Sequence, residues 1–335
     1  MTKTEPKALE RFDLTIIGAG PVGMYAAYYA GFRRLKTKLI DSLNELGGQV
    51  VALYPEKSIH DVAGFPDIRG KDLVRMLERQ MSQFHTTIAL GERAQSLTRE
   101  SDGTLNIETD KSCHRSKAVL IAGGLGLFTP RKFDNPAVDQ WEWRGLTHGV
   151  TDLHDFDLKR VVVVGGGDSA VDWALHLHRN AAHVTLVHRT DRFRAHEDSV
   201  AKVFDAVDVK TFHTVVAVHG EHEIQEVEIQ STKTGERSTI HADRVVACLG
   251  FLSNPGPIAN WGLALENDGI QVSIRMESSV PGVYAAGDMA QYAGKPKLIS
   301  VGFGEAAVAV NNAAVYIDPT KRVFPGHSSN KPAEK

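Results

Sequence analysis

The stretch Phe12-Asp13-Leu14-Thr15-Ile16-Ile17 runs straight into Gly18-Ala19-Gly20-Pro21-Val22-Gly23 and then into an alanine-rich segment, Met24 to Gly31. An apolar run, a glycine-spaced turn and a string of helix formers predict strand, tight turn and helix, the order in which a chain builds a dinucleotide site. Each glycine has its own duty. Gly18 permits the turn, Gly20 lets the backbone approach a pyrophosphate, Gly23 lets helix and strand pack closely, and the helix N-terminus faces the anion. The next apolar run, Thr37 to Ile40, ends in Asp41, eighteen positions after Gly23. There the fold places an acid to hydrogen-bond a ribose hydroxyl.

Working outward, the same device recurs. Arg160 to Val164 is strand-like and leads into Gly165-Gly166-Gly167-Asp168-Ser169-Ala170 and a helix through His178. The strand that follows, His183 to Val187, ends on His188 and Arg189, with Arg192 and Arg194 close behind and no acid at its end. Ala170 to His188 spans the same eighteen positions, so cations occupy the place of the first site's carboxylate. An aspartate there would repel a ribose 2'-phosphate, whereas an arginine binds it through planar, charge-assisted hydrogen bonds. The second site is therefore expected to hold NADPH through Gly165, Gly167, Ser169, His188, Arg189 and Arg194. The first, with its aspartate, suits an unphosphorylated ribose such as the adenosine half of FAD.

A third segment supports FAD. Gly282-Val283-Tyr284-Ala285-Ala286-Gly287-Asp288 reads as a short strand closing on Gly-Asp, followed after a polar loop by Gly302-Phe303-Gly304-Glu305 and a helix over Ala306 to Ile317. Asp288 can hydrogen-bond a ribityl chain, and the positive end of the following helix stabilises negative charge on a reduced flavin.

The bulk numbers narrow the classes. At 335 residues the chain is long enough for two domains, and 42% hydrophobic with 24% charged residues is a globular composition without a membrane-length apolar run. The N-terminus lacks the apolar stretch of a secretory signal, which points to the cytoplasm. A net charge of -3 supplies no field for nucleic acid. The two cysteines, Cys113 and Cys248, are too far apart in sequence for a C-x-x-C pair and too few for a metal site. The histidines, His213, His219 and His222 included, lack a metal-ligand spacing, so no metal is expected.

The three glycine motifs, in this order, resemble the thioredoxin-reductase-type pyridine nucleotide flavoproteins over nearly the whole chain. The resemblance implies an α/β fold of two Rossmann-like, three-layer nucleotide-binding domains, with the NADPH domain inserted into a split FAD domain. The edges would fall at 1–125 and 250–318 for FAD and 126–249 for NADPH, with 319–335 as a tail over the flavin. Family members that reduce disulfides carry a C-x-x-C pair just before the second glycine motif, whereas here that interval, Leu146 to His154, holds no cysteine. A relay to disulfides needs two thiols, so the electrons must leave from the flavin itself.

Two further features resemble the ferredoxin-NADP reductases of this type. One is Leu46-Gly47-Gly48-Gln49 with Leu53-Tyr54-Pro55; the other is the tail from Ile317 through Phe324, His327, Ser328 and Ser329. Carried over, the resemblance sets Gly48 and Gln49 at the flavin, stacks Tyr54 on one face and His327 on the other, adds Ser329, and lines the FAD site with Ala94 and Phe128. It also implies a homodimer, with ferredoxin or flavodoxin as the electron-transfer partner. The rival readings are an NADPH-dependent reductase of a quinone or of a separate disulfide protein, and a non-catalytic nucleotide sensor. A basic run, Arg33, Arg34, Lys36 and Lys38, reads as a solvated face or as a steering patch for an acidic carrier.

Overall fold

A computed structural model describes residues 10–327 apart from 125, 255 and 268, with the side chains of 127–129 and 251–254 also excepted. Its contacts divide the chain into two compact units, Met1–Ala52 with Ile59–Leu127 and Ser253–Lys335, and Leu53–Ser58 with Phe128–Leu252.

In the first unit, Thr86–Leu90, Thr37–Asp41, Arg11–Ile17 and Cys113–Ile121 lie side by side as a parallel sheet. Cys113–Ile121 changes neighbours midway. Its first half pairs antiparallel with Leu105–Thr109, and its last three residues pair parallel with Val283–Ala285, so the late Gly-Asp strand joins the sheet begun by the first residues. Alternation along the strands sorts the core. Ile17, Ile40, Val119 and Ile121 face a cluster closed by Ile258, Trp261 and Leu263. Ile16, fully buried, meets the helix Pro21–Phe32 on the other face. That helix packs on Gly70–Met81 and Ile299–Ile317. Near-continuous apolar strands are what a parallel sheet covered on both faces requires.

The second unit repeats the plan around a five-stranded parallel sheet in the order Leu146–Thr147, Arg244–Ala247, Arg160–Val164, His183–His188, Asp208–Thr211. Val161 and Val163 face the helices Asp168–Leu177 and Glu197–Ala206, while Val162 and Val164 face the antiparallel meander His213–Gly220, Ile224–Ser231, Arg237–His241. Meander, sheet and helices make three layers.

Two local expectations change. The last helix begins at Ile299, so Gly302, Phe303 and Gly304 lie inside it rather than ahead of it. Gly302 is required there because a Cβ would meet Val22 Cγ2 at 2.4 Å. Arg33 is no part of a solvated basic face. It is only 6% exposed, donates to the carbonyl oxygens of Arg322 and Val323 at 2.7 and 2.9 Å, and also bonds Asn311 Oδ1. Of its neighbours in sequence, Lys36 pairs with Glu10 and Lys38 with the buried His114 ring.

Candidate nucleotide-binding sites

In the first unit the glycine turn has the geometry its spacing predicts. Gly18 adopts φ +110°, and a Cβ on it would lie 2.4 Å from the Ala122 carbonyl oxygen. On Gly23 a Cβ would come within 1.8 Å of the Gly18 oxygen, so helix and strand touch through backbone alone. Gly20 ends the turn at the N-cap of Pro21–Phe32, with no side-chain cap and no acid in the first turn. The first N–H groups of that helix are thus left for an anion, and Pro21 removes one that would need a partner.

Asp41 stands where the spacing set it, but its carboxylate is already engaged. Oδ2 accepts from the Ala19 N–H at 2.5 Å and Oδ1 from Leu43 N–H at 2.8 Å. Burial pushes its carboxyl up, against the opposing pull of the Ala19, Leu43 and Ser42 amides. Each carboxylate oxygen keeps a second lone pair for a hydroxyl donor.

Around this turn the structure gathers Gly48, Gln49, Gly287 and Asp288 from the candidates for the first site. Gly47 N–H donates to Ala19 O at 2.9 Å. Gly48, at φ +56°, faces Gly20 so closely that a Cβ would sit 2.9 Å from the Gly20 Cα. Gln49 Nε2 is buried with no hydrogen-bond partner among the described residues. Gly287 and Gly302 both pack against Val22, which seats the Gly-Asp turn and the last helix beside the first helix. Asp288 is half-buried, and its carboxylate accepts no hydrogen bond from the described residues. Burial pushes its carboxyl up while Lys297 and Lys295 act in the opposite sense. A bare-backbone cradle, an orphaned amide and an acid without a donor fit a dinucleotide with a polyhydroxyl chain.

In the second unit, Gly165 has φ +149° and would drive a Cβ to 2.4 Å from the Cys248 carbonyl oxygen. Gly166 lies under the His188 ring, 2.2 Å from a would-be Cβ, and that ring contacts Phe193 at 4.9 Å and the Arg192 carbonyl oxygen at 3.1 Å. Arg194 N–H donates to Gly166 O at 2.7 Å, which closes the basic loop onto the glycine turn. Ser169, Arg189 and Arg194 are exposed, and among the described residues neither arginine side chain pairs with a carboxylate. Arg189, Arg192 and Arg194 give this loop three positive charges, against one acid, Asp168, in the first turn of the helix it closes onto, whereas the glycine turn of the first unit has no such cluster.

The remaining candidates are dispersed. Ala94 opens the strand Ala94–Arg99 and packs against the Ile17 and Ile40 cluster. Tyr54 belongs to the second unit, packed against the buried cluster that includes Val150 and Phe156. Its neighbour Lys57 pairs with Asp172 at 2.6 Å on the helix Asp168–Leu177. Phe128 lies in the strand Leu127–Pro130, its side chain outside the described residues, as is Ser329 altogether. His327 is exposed and meets Phe324 edge-on at 5.2 Å. Cys113 and Cys248 are free, one in each unit, and burial pushes the Cys248 thiol up to about 12. Among the described residues no three His, Cys, Asp or Glu side chains are grouped to hold a metal ion, and no helix is long and apolar enough to cross a membrane.

One feature carried no sequence signal. Lys295 and Glu305 form a buried pair at Gly287, and neither a lone lysine in a polar loop nor a lone acid in an alanine-rich helix announces its partner.

Residues 12–313 match the model of the pyridine nucleotide-disulphide oxidoreductase family. The chain is 50% identical over 323 residues to a ferredoxin-NADP reductase of Halalkalibacterium halodurans, covering 96% of this chain and 98% of the relative. It is 49% identical over 321 residues to one of Geobacillus thermodenitrificans, covering 95% and 97%. Among solved structures it resembles the thioredoxin reductase of T. acidophilum, with TM-score 0.81, 25% identity and coverage of 93% and 99%. That of Lactococcus lactis in its FR conformation gives TM-score 0.80, 27% identity and coverage of 91% and 99%. With its two glycine turns, its late Gly-Asp strand and these relatives, the chain belongs to the pyridine nucleotide-disulphide oxidoreductase family.

Proposed function

We propose that this protein exchanges electrons between NADP(H) and ferredoxin through bound FAD. The observation that carries the reading is the contrast between two glycine turns of one design, the first closed by Asp41 and the second by His188 and Arg189. The near-full-length relatives named ferredoxin-NADP reductase supply the acceptor.

The first unit holds FAD. Gly18, Gly20 and Gly23 give the pyrophosphate its backbone bed, Asp41 takes a ribose hydroxyl, Gly48 and Gln49 meet the flavin, and Gly287 and Asp288 hold the ribityl chain. By resemblance alone, Ala94, His327 and Ser329 are added to the FAD residues, as are Tyr54 and Phe128, which belong to the second unit. In the second unit Gly165, Gly167 and Ser169 bind the pyrophosphate of NADPH, while His188, Arg189 and Arg194 bind its 2'-phosphate. FAD, once bound there, would supply the redox chemistry, which links a two-electron hydride donor to a one-electron carrier. The protein's own part is to position both nucleotides; no side-chain acid, base or thiol is required. Flavodoxin is the alternative carrier, the working form is a homodimer, and the two free cysteines suit a reducing cytoplasm.

A steady-state assay with NADPH and purified ferredoxin, flavodoxin or quinones tests the acceptor. Fast cytochrome c reduction that depends on added ferredoxin is expected, and turnover with quinones alone would reject the protein acceptor.

Arg33 fixes where the tail begins, so a chain ending at residue 323 keeps the anchor and loses Phe324, His327 and Ser329. One aromatic stack contributes about 0.5–1.5 kcal/mol, so this truncation is expected to change hydride transfer or oxygen reactivity by about two- to tenfold. Stopped-flow kinetics identical to those of the full chain would reject a tail over the flavin.

A further inference from the structure

The ammonium of Lys295 and the carboxylate of Glu305 lie 2.9 Å apart with their side chains only 2% and 4% exposed. Burying two charges this deeply is costly, and an apolar pair of similar volume often serves stability as well or better. The pair's other bonds show what an apolar pair lacks. Lys295 Nζ donates to the carbonyl oxygen of Gly287, and the Gly287 N–H donates to Glu305 Oε2 at 2.7 Å. Both polar groups of one glycine are thereby gripped by one ion pair. Tyr292 completes the set, its hydroxyl donating to Glu305 Oε1 at 2.7 Å, and burial together with that carboxylate pushes the phenol up to about 12.

Gly287 sits at φ +73°, a left-handed conformation that a free chain abandons readily, and the next residue is Asp288. We infer that Lys295 and Glu305 are positioning residues that clamp Gly287 so that Asp288 presents its carboxylate to the hydroxyls of the FAD ribityl chain. This rests on the reading that the first unit holds FAD. It assigns the two residues no contact with the cofactor, so their effect must pass through Asp288.

A double-mutant cycle on FAD affinity tests this, with apoprotein titrated by FAD and binding read from flavin fluorescence quenching. Glu305→Gln is expected to raise the FAD dissociation constant roughly tenfold to a hundredfold, the range of one lost charge-assisted hydrogen bond. Asp288→Ala should do the same. The double variant should bind no more weakly than Asp288→Ala alone, because a clamp has nothing left to present. Tyr292→Phe, which removes one hydroxyl, should show a smaller loss that also vanishes in the Asp288→Ala background; it carries the test if Glu305→Gln does not fold. Losses that multiply, or a Glu305→Gln protein with lowered thermal stability and unchanged FAD affinity, would overturn the clamp. Wild-type apoprotein that takes up no FAD would instead sink the cofactor reading beneath it.

Discussion

Gly23→Ala is expected to yield a colourless protein, while Gly165→Ala stays yellow and no longer bleaches with NADPH. The two substitutions add the same methyl group at corresponding turns. On Gly23 it falls 1.8 Å from the Gly18 carbonyl oxygen, a backbone atom that cannot swing aside. The helix Pro21–Phe32 must shift outward, and with it the amides that face the pyrophosphate. On Gly165 the methyl falls 2.4 Å from the Cys248 carbonyl oxygen, at φ +149°. Overpacking of this kind costs about 1–3 kcal/mol in a core; at a site whose affinity depends on backbone placement, the ligand bears that loss directly. Absorbance of the purified proteins, followed by NADPH and then dithionite, separates the outcomes. Gly165→Ala should bleach only with dithionite. A yellow Gly23→Ala protein would show that FAD does not depend on this turn.

Replacing Arg189 by Ala is expected to raise the Michaelis constant for NADPH roughly 10- to 150-fold and to leave that for NADH nearly unchanged. One hydrogen bond to a charged group contributes about 1.5–3 kcal/mol, and each 1.4 kcal/mol is about tenfold. Only the phosphorylated ribose offers the partner. Because Arg189 and Arg194 are exposed, rising salt should weaken NADPH binding in the wild type and do so less in the variant. Steady-state kinetics with both nucleotides decide it, and an equal loss for NADPH and NADH would refute the assignment.

Much of the architecture was legible because it rests on local rules. Gly18 at positive φ, Gly23 against backbone and Asp41 at a strand end follow from steric demands that leave few residue choices. The two units share the device, so each glycine pattern supports the other. What escaped was set by distant partners. Gly302 and Gly304 read as residues ahead of the helix until the close approach of Val22 explains the first inside it. Arg33 looks solvated until the chain returns nearly three hundred residues later to place two carbonyl oxygens on it. Lys295 and Glu305 meet across a turn whose course no short-range pattern fixes. In each case the missing information was a tertiary contact, and a buried charge gave the least local sign of one.

Electrons are expected to pass from NADPH through FAD to an external carrier without a thiol. A Cys113→Ser/Cys248→Ser protein, made anaerobic, titrated with NADPH and then mixed with oxidised ferredoxin, tests it most directly. The flavin band should bleach with NADPH and return with ferredoxin at the rate of the unsubstituted protein. A preparation that cannot be loaded with FAD, or one that NADPH reduces but that no longer passes electrons to ferredoxin, would contradict the account.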